Sequence, residues 1–599
     1  MQTATPAQRP IGLWSLSMVA VVVGIVTGFG AIFFRGLIGL IHNVFFLGQF
    51  AISYDANHYT PASPWGAAII LVPVLGGLGV VFLVTKFAPE ARGHGVPEVM
   101  DAIFYQDGKI RPVVAAVKSL ASALAIGTGA AVGREGPIIQ IGASLGSTIG
   151  QIINMEPWQR ITLVAAGAGA GIAATFNTPL GGVMFAVELM MPEVSSRTFL
   201  PVALATGMAT FIARMVLGSM PAFHVPSVYF LSDQSIPFYA ILLYVVLGAI
   251  TGLAATAFVR GLHVSESIWE RIANPYLRHA AGMLLVGVMM YAFFRYSGHY
   301  HIDGVGYSTV QDVLMGGLVA APFLILLSAS KLVATVLSLG SGSSGGIFSP
   351  SLFIGATLGA AFGAACHLLF PTPAITIAAF AMIGMAAMVG GATGAAMTAV
   401  TMIFEMTRDY EIVMPMIVAV AVAIGIRRLL SRENIYTIKL VARRHFIPKA
   451  LHANMFLVRP AGDVMQKDFV VLPYDTDFDS FLRQPEHHGR MRHVVITKDG
   501  HIAGVVRVNT SLRRGLEGAY TGVTLGDVAS RHFTIAREDD IMFNVIGRMW
   551  RRKASMILVV RNSGVPRIES IIGVITKEHV ADSVADSVRP YAGSDPSSF

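Results

Sequence analysis

The sequence predicts an α-helical protein that crosses a membrane many times as two related halves and ends in a smaller α/β region. The first observation is composition: of 599 residues, 54% are hydrophobic and 13% are charged, whereas about a quarter of a soluble domain is charged. The second is an internal repeat of two helix starts rich in glycine and proline. The third is the return of charges and short alternating strands after about residue 455.

The repeat pairs the segment GREGP (133–137) with GGIFSP (345–350). Each continues into a helix of small residues, IGASLGSTIG at 141–150 and IGATLGAAFG at 354–363, and these two stretches agree at six positions. Repeated halves whose apolar segments are interrupted by glycine and proline at matching places indicate the midplane binding site of a transporter.

Long apolar runs are expected to form the membrane helices, because about 18 such residues cross the hydrocarbon core. The runs are Leu13 to Phe34, Trp65 to Val84, Tyr239 to Phe258, Met283 to Phe294, Phe323 to Leu339, Ala374 to Phe404 and Ile412 to Ile426. Some, such as Met283 to Phe294, are too short to cross alone, as expected of broken helices inside a bundle. No secretory signal is evident, and the first run is interpreted as the first spanning helix.

Basic residues follow the last run and place the C-terminal region in the cytoplasm, since cytoplasmic segments carry an excess of Lys and Arg. They are Arg427, Arg428, Arg432, Lys439, Arg443 and Arg444. The net charge of +8 is assigned to such loops and tails rather than to a nucleic-acid surface, because no basic and aromatic patch stands out. The single cysteine, Cys366, excludes an intramolecular disulfide, and no metal-ligand or hydrolase motif supports an enzyme or a metal site.

The C-terminal region contains two similar segments. Each begins with a helix start (AGDVM at 461–465, LGDVA at 525–529) and continues with an alternating strand (HVVITKDG at 493–500, MILVVRNSG at 556–564). This layout is typical of a pair of CBS domains. The predicted divisions are an N-terminal tail (1–11), a membrane domain (12–440), a linker (441–455), two CBS domains (456–520 and 521–586) and a disordered tail (587–599).

Three segments resemble loops that open a helix: GHGVP (93–97), GREGP (133–137) and GIFSP (346–350). Glycine lets the backbone approach an ion closely, and proline suits the first turn, where its missing N–H is not needed. The first turn has free N–H groups and the positive end of the helix dipole. Several such ends directed at one point bind an anion without a full positive charge, so the anion can still leave.

Glu135 is the strongest single candidate for a functional residue. A carboxylate within a membrane segment has a high free-energy cost, so it needs a partner or a role. One interpretation is an ion pair with Arg134, although adjacent helical residues point apart. The other is a carboxylate that competes with anions for the same N–H groups. Ionised, it blocks the site; protonated, it swings away, which couples anion movement to protons.

Together, GREGP, GGIFSP, FNTPLGGVMFAVE (176–188) and a closing tyrosine resemble the CLC family of chloride channels and proton-coupled chloride antiporters. The resemblance covers nearly the whole chain. It implies a homodimer in the cell (inner) membrane, with one anion pathway in each subunit and each subunit an inverted repeat of broken helices. It also implies that Glu135 is the gating glutamate and that Lys118 is the family's basic residue in the preceding helix. The anion-binding residues it implies are His94, Gly95, Arg134, Gly136, Ile347, Phe348 and Tyr436.

Two departures from the family pattern bear on function. The family commonly has a serine hydroxyl at the place of His94, whose imidazole either donates an N–H to the anion or turns away. Proton-coupled members often carry a second glutamate after the place of Glu188, where this chain has Leu189. Leucine carries no proton, which favours a channel or a differently wired proton pathway. The resemblance also implies that some prokaryotic exchangers lack this glutamate, with water bridging the gap. Glu188 and its counterpart Glu405 are interpreted as structural caps.

CBS pairs often bind adenosine nucleotides through a threonine and, three residues later, an aspartate. The second repeat has Thr576 but His579 at the aspartate place, and the first has Arg507 and Thr510. Both departures disfavour a bound adenosine nucleotide, and mechanical contact at the dimer axis is the default role.

The leading hypothesis is exchange of chloride, or a similar small anion, for protons, gated by Glu135 and dependent on pH and voltage, with no cofactor. The rival within the family is a passive chloride channel. Rivals from other classes are a divalent-cation transporter bearing CBS domains, which the scattered acids disfavour, and a membrane-anchored nucleotide sensor.

Overall fold

The computed structural model describes residues 11–192, 194–225, 238–369, 376–443, 445, 460–483, 493–507, 522–561 and 568–588. The chain divides into two compact units, 1–447 and 448–599. Several sequence-based predictions lie outside the described residues: the tails at 1–10 and 589–599, most of the predicted linker, Arg444 and Thr510.

The first unit is helical and has two halves with the same order of long and short helices. The first half comprises α1 (Leu13–His42), α2 (Val72–Phe87), α3 (Val96–Tyr105), α4 (Val113–Gly127), α5 (Glu135–Ile152), α6 (Pro157–Phe176), α7 (Pro179–Phe185) and α8 (Ser196–Leu217). The second comprises α9 (Phe238–Trp269), α10 (Pro275–Ser297), α11 (Tyr307–Leu314), α12 (Ala321–Ser341), α13 (Phe348–Leu369), α14 (Ile377–Thr393), α15 (Ala396–Thr407) and α16 (Val413–Leu430). A short helix, α17 (Thr437–Ala442), ends the unit.

Eight helices among the described residues are long and apolar enough to cross a membrane. Two predicted apolar runs differ from the observed helices. The run Met283 to Phe294 is the middle of α10, which has 23 residues, so it is not a short segment. The run Ala374 to Phe404 is two helices rather than one, because Gly394 adopts a φ of +77° and ends α14 before α15 begins.

Matching glycines let neighbouring helices touch in each half. A Cβ atom on Gly142 of α5 would lie 2.1 Å from the carbonyl oxygen of Gly167 on α6, and one on Gly355 of α13 would lie 2.4 Å from that of Gly384 on α14. Small residues at crossing points allow such close packing of membrane helices. The same contact at corresponding places confirms that the sequence repeat is a structural repeat.

Two glutamates cap helices across the halves. Glu188, which follows α7, accepts hydrogen bonds from the N–H groups of Met397 and Thr398 at the start of α15 (3.2 and 2.9 Å). Glu405 of α15 accepts from the N–H groups of Leu180 and Gly181 at the start of α7 (3.1 and 2.7 Å). Each carboxylate satisfies N–H groups that have no partner within their own helix, which confirms the structural interpretation of both.

One predicted orientation-setting basic residue has a different place. Arg427 is buried, and its guanidinium donates hydrogen bonds to the carbonyl oxygens of Gly391, Ser431 and Arg432. This side chain therefore satisfies backbone carbonyls near the end of α16 rather than standing on the surface.

The second unit contains two sheets with one topology. The strands are β1 (Phe469–Pro473), β2 (His493–Lys498), β3 (His501–Arg507), β4 (Phe533–Arg537), β5 (Met556–Val560) and β6 (Ile571–Thr576). The helices are α18 (Ala461–Val464), α19 (Phe478–Arg483), α20 (Met542–Arg551) and α21 (Lys577–Val588). In each sheet the first strand pairs parallel with the second, and the second pairs antiparallel with the third. The predicted repeat of α/β segments is confirmed.

The residues at the expected nucleotide positions interact with each other. The N–H of His579 donates to the Thr576 hydroxyl (3.4 Å), and the N–H of Thr576 donates to Nδ1 of His579 (3.3 Å). Both side chains are therefore engaged at the start of α21.

Candidate anion-transport site

Three loops meet at the centre of the first unit, each immediately before a short or long helix. The N–H of Gly133 donates to the carbonyl of Gly346 (2.7 Å), and the N–H of Gly346 donates back to the carbonyl of Gly133 (2.6 Å). The N–H of Gly93 likewise donates to Ser343 (3.0 Å). The starts of α3, α5 and α13 are therefore joined by backbone hydrogen bonds, as the three glycine-proline motifs predict.

Glycine is required where these loops pass each other. A Cβ atom on Gly136 would lie 2.2 Å from the carbonyl oxygen of His94, and one on Gly346 would lie 2.7 Å from the backbone nitrogen of Gly136. Gly95 has a φ of +82°, which favours glycine. The obstructing atoms at Gly136 and Gly346 are backbone atoms, which cannot move as a flexible side chain can.

Glu135 lies in this junction and is fully buried. Its carboxylate accepts a hydrogen bond from the backbone N–H of Ser349 at the start of α13 (3.2 Å). It also accepts from the hydroxyl of Tyr307 (2.5 Å) and from the hydroxyl of Ser349. The Glu135 carboxylate therefore accepts a hydrogen bond from a backbone N–H at a helix start. Such N–H groups are the type of donor that binds an anion.

Arg134 does not form an ion pair with Glu135 in the described part of the chain. Its guanidinium carbon lies 5.2 Å from the centre of the Tyr307 ring, a cation–π distance, and its buried Nε has no hydrogen-bond partner among the described residues. Arg134 and Tyr307 line a cavity of about 170 Å³, together with Arg35 and Arg214. The local ion-pair interpretation of Glu135 is therefore wrong.

The predicted anion-binding N–H groups lie beside Glu135. Ile347 and Phe348 are buried, and among the described residues their backbone N–H groups make no backbone hydrogen bond. They directly precede Ser349, whose N–H is taken by Glu135. An anion at these groups would therefore be a neighbour of the carboxylate.

His94 and Tyr436 lie together. Both are buried, and their ring centres are 5.8 Å apart. Nδ1 of His94 has no hydrogen-bond partner among the described residues. Tyr436 immediately precedes α17, where Asn434 accepts the N–H groups of Tyr436 and Thr437 (2.9 and 2.8 Å). The His94 imidazole thus lies next to Tyr436, which the family resemblance implies as an anion-binding residue.

Lys118 has a counterpart that sequence reasoning missed. Nζ of Lys118 donates to the carbonyls of Ala91 and Gly93 (2.9 and 2.8 Å), just before α3. Nζ of Lys331 donates to the carbonyls of Ile302 and Gly304 (2.9 and 2.8 Å), just before α11. The two lysines have the spacing of the helix-start repeat, 213 residues, and that spacing was the signal that could have found Lys331.

Sequence reasoning also missed Tyr307 and the hydroxyl of Ser349 as partners of Glu135. Tyr307 begins α11, and the preceding loop has a glycine at 304 and 306 as the first loop has at 93 and 95. All four glycines have a positive φ. Aligning these two loops would have marked α11 as a fourth helix start at the site.

Helix α3 is bound to the segment that leaves the membrane unit. Arg443 donates two hydrogen bonds to the Glu98 carboxylate (2.9 and 2.6 Å), and Lys439 lies 3.8 Å from the same carboxylate. Asp101 contacts Nδ1 of His445 at 2.5 Å. Since α3 begins directly after His94 and Gly95, these contacts connect the end of the unit to the candidate site.

Comparison with known proteins agrees with this geometry. A profile of the family described as "Voltage gated chloride channel" matches residues 76–428, which is more than half of the chain. The H(+)/Cl(-) exchange transporter ClcA of Vibrio parahaemolyticus is 31% identical over 433 residues, covering 71% of this chain and 89% of that protein.

Solved structures show the same fold. A slow cyanobacterial Cl-/H+ antiporter is 26% identical, with a TM-score of 0.62, and covers 73% of this chain and 99% of its own. A eukaryotic CLC transporter, at 19% identity and a TM-score of 0.56, covers 95% of this chain and 98% of its own, and it is similar in fold alone. This chain, with its repeated helix starts and buried glutamate, belongs to the voltage-gated chloride channel (CLC) family of membrane proteins.

Proposed function

We propose that this protein exchanges chloride, or a similar small anion, for protons, and that Glu135 couples the two movements. The observation that carries the proposal is the position of the Glu135 carboxylate on the N–H of Ser349. Because the carboxylate occupies one member of a row of N–H groups, an anion and the ionised carboxylate compete for the same place. Protonation removes the charge and lets an anion replace it.

The anion in this proposal contacts groups that carry no full charge. The N–H groups of Ile347 and Phe348, the Tyr436 hydroxyl and the His94 imidazole bind it in the centre of the pathway. Gly95 and Gly136 allow the loops to approach, and Arg134 contributes positive potential beside the gate. Partial charges suit transport because the bound anion must also leave.

The relatives favour exchange over a passive channel, since the similar proteins are named exchange transporters or antiporters. Leu189, at the place of the second glutamate, carries no proton, so the inner proton route in this proposal passes through water. Glu188 is engaged with the start of α15, which leaves Glu135 as the proton carrier.

In its cellular setting we place the protein in the cell (inner) membrane as a homodimer, with the second unit in the cytoplasm. The contacts of Glu98 and Asp101 with Arg443 and His445 support a mechanical role for that unit, because they tie the pathway helix α3 to the departing chain. Adenosine nucleotides remain a secondary candidate ligand for the second unit.

The test is proton movement in proteoliposomes that contain the purified full chain under an imposed chloride gradient. With the membrane voltage clamped at zero by potassium and valinomycin, an exchanger moves protons against their own gradient. Protein-free liposomes are the control. Chloride flux without uphill proton movement contradicts exchange and supports the channel alternative.

Replacing His94 with serine is expected to change anion preference. The substitution exchanges a bulky imidazole for the small hydroxyl usual in the family, and one hydrogen bond is worth about 1 kcal/mol, or about fivefold in an equilibrium. We therefore expect the ratio of chloride to nitrate flux to change by about fivefold. Identical ratios in His94→Ser and the parent protein would mean that the imidazole turns away from the anion.

A further inference from the structure

We propose that Tyr307 and Ser349 form a hydroxyl pair that holds the ionised Glu135 carboxylate closed and so sets the external pH at which the gate opens. The inference rests on the proposed gating role of Glu135. It gives a role to two side chains, Tyr307 and Ser349, that the proposed exchange does not otherwise use.

The geometry of the hydroxyl pair is compact. The Tyr307 hydroxyl lies 2.5 Å from Oε1 of Glu135 and 2.7 Å from the Ser349 hydroxyl, and the Ser349 hydroxyl contacts the same Oε1. All three residues are buried, with exposed fractions of 2% for Tyr307 and 0% for Glu135 and Ser349.

The three donors around the carboxylate can all bind its ionised form. Each hydroxyl has one hydrogen, and when both donate to Oε1 the 2.7 Å contact between the two hydroxyl oxygens holds no hydrogen. The N–H of Ser349 supplies a third donor, to Oε2. An ionised carboxylate accepts all three bonds, whereas a protonated one loses acceptor capacity and must donate its own hydrogen. The pair thus stabilises the charged, closed form.

The two donors come from two different helices of the second half. Ser349 is in the first turn of α13, beside the anion-binding N–H groups, while Tyr307 begins α11. The Tyr307 ring also lines the cavity that Arg35 and Arg134 border. The Tyr307 side chain therefore reaches both the Glu135 carboxylate and this cavity.

Other charged and titratable groups also act on Glu135 and remain in every variant. Arg134 precedes it in the chain, Lys331 of α12 interacts with it electrostatically, and so does Tyr436 before α17. None of these three donates a hydrogen bond to the carboxylate in the described residues. Replacing Tyr307 or Ser349 therefore removes one hydrogen-bond donor to Glu135 and leaves these three groups in place.

The test measures the protonation of Glu135 directly by infrared titration of the full-length protein in lipid. The carboxyl band of Glu135 is identified as the band missing from Glu135→Gln. A hydrogen bond to a charged group corresponds to about one pH unit. In Tyr307→Phe and in Ser349→Ala we therefore expect the midpoint of this band to move up by about one unit. Anion flux is expected to persist to correspondingly higher external pH.

Matched controls remove the same atoms elsewhere. Ser351→Ala, on the same helix, deletes a buried hydroxyl that donates to the carbonyl of Ile347. Tyr244→Phe deletes a buried hydroxyl beside Phe380, away from the gate. Both controls should titrate as the parent protein does. If the midpoints of Tyr307→Phe and Ser349→Ala equal those of the controls, or move down, the proposal is wrong.

The result is separable from the test of exchange. A midpoint that moves up in a protein that shows no uphill proton movement supports the hydroxyl pair and contradicts proton coupling. Uphill proton movement with unmoved midpoints supports exchange and contradicts the hydroxyl pair. A role that is only structural would lower the height of the flux profile and leave its midpoint in place.

Discussion

Replacing Glu135 with glutamine is expected to abolish proton movement while chloride flux persists. Glutamine keeps the size of the side chain but neither ionises nor carries a proton, so it cannot compete as an anion for the N–H of Ser349. Because a positioned proton-transfer group contributes about a hundredfold or more, chloride-driven proton uptake should fall by at least that factor. Chloride efflux should also lose its dependence on pH.

The experiment compares chloride efflux and proton uptake in the same proteoliposomes. The control is Glu411→Gln, which removes an exposed carboxylate of the same unit and should leave both fluxes as they are. Proton uptake that survives in Glu135→Gln would contradict the assignment of the gate. A loss of both fluxes would contradict the idea that the charge of the carboxylate blocks the anion.

Replacing Gly136 with alanine is expected to eliminate transport. The new methyl group would lie 2.2 Å from the carbonyl oxygen of His94 and 3.0 Å from the Cα of Gly346. Both are backbone atoms of the loops that open α3 and α13, so relief requires the helix starts to separate. Since a misplacement of about 1 Å at a site can cost about a hundredfold in rate, we expect chloride flux to fall to the level of empty liposomes.

The matched control is Gly425→Ala in α16. A Cβ atom at this position meets no other atom within 4 Å, and alanine is the better helix former by about 1 kcal/mol. Chloride flux in Gly425→Ala should equal that of the parent protein. Gly136→Ala at full flux would show that the loops separate without harm, and the close approach would then have no part in anion binding.

The sequence predicted the helix starts at the site because their causes are local. Glycine before proline, a free first turn and an apolar run belong to a few consecutive residues, and these features located α3, α5 and α13. They also placed Glu135 at the start of α5. The boundary inside the run Ala374 to Phe404 was missed, because no charged residue interrupts the run and the positive φ of Gly394 ends the helix.

Partners that come from distant parts of the chain were beyond this reasoning. The neighbour of Glu135 in sequence, Arg134, was considered as its ion-pair partner, whereas the structure supplies Tyr307 and Ser349 instead. Lys331 was missed for the same reason, although its spacing from Lys118 follows the repeat. Hydropathy does not reveal which hydroxyl faces a carboxylate more than 170 residues away.

The sequence by itself determined the family, the two repeated halves and the residues that begin each pathway helix, because these depend on composition, spacing and the chemistry of the first helical turn. Only the tertiary structure decided what each buried charge contacts. The two halves meet so that Gly133 pairs with Gly346, and this meeting brings Ser349 to Glu135. Burial then selects the partners, since a carboxylate without water must find its hydrogen bonds within the protein.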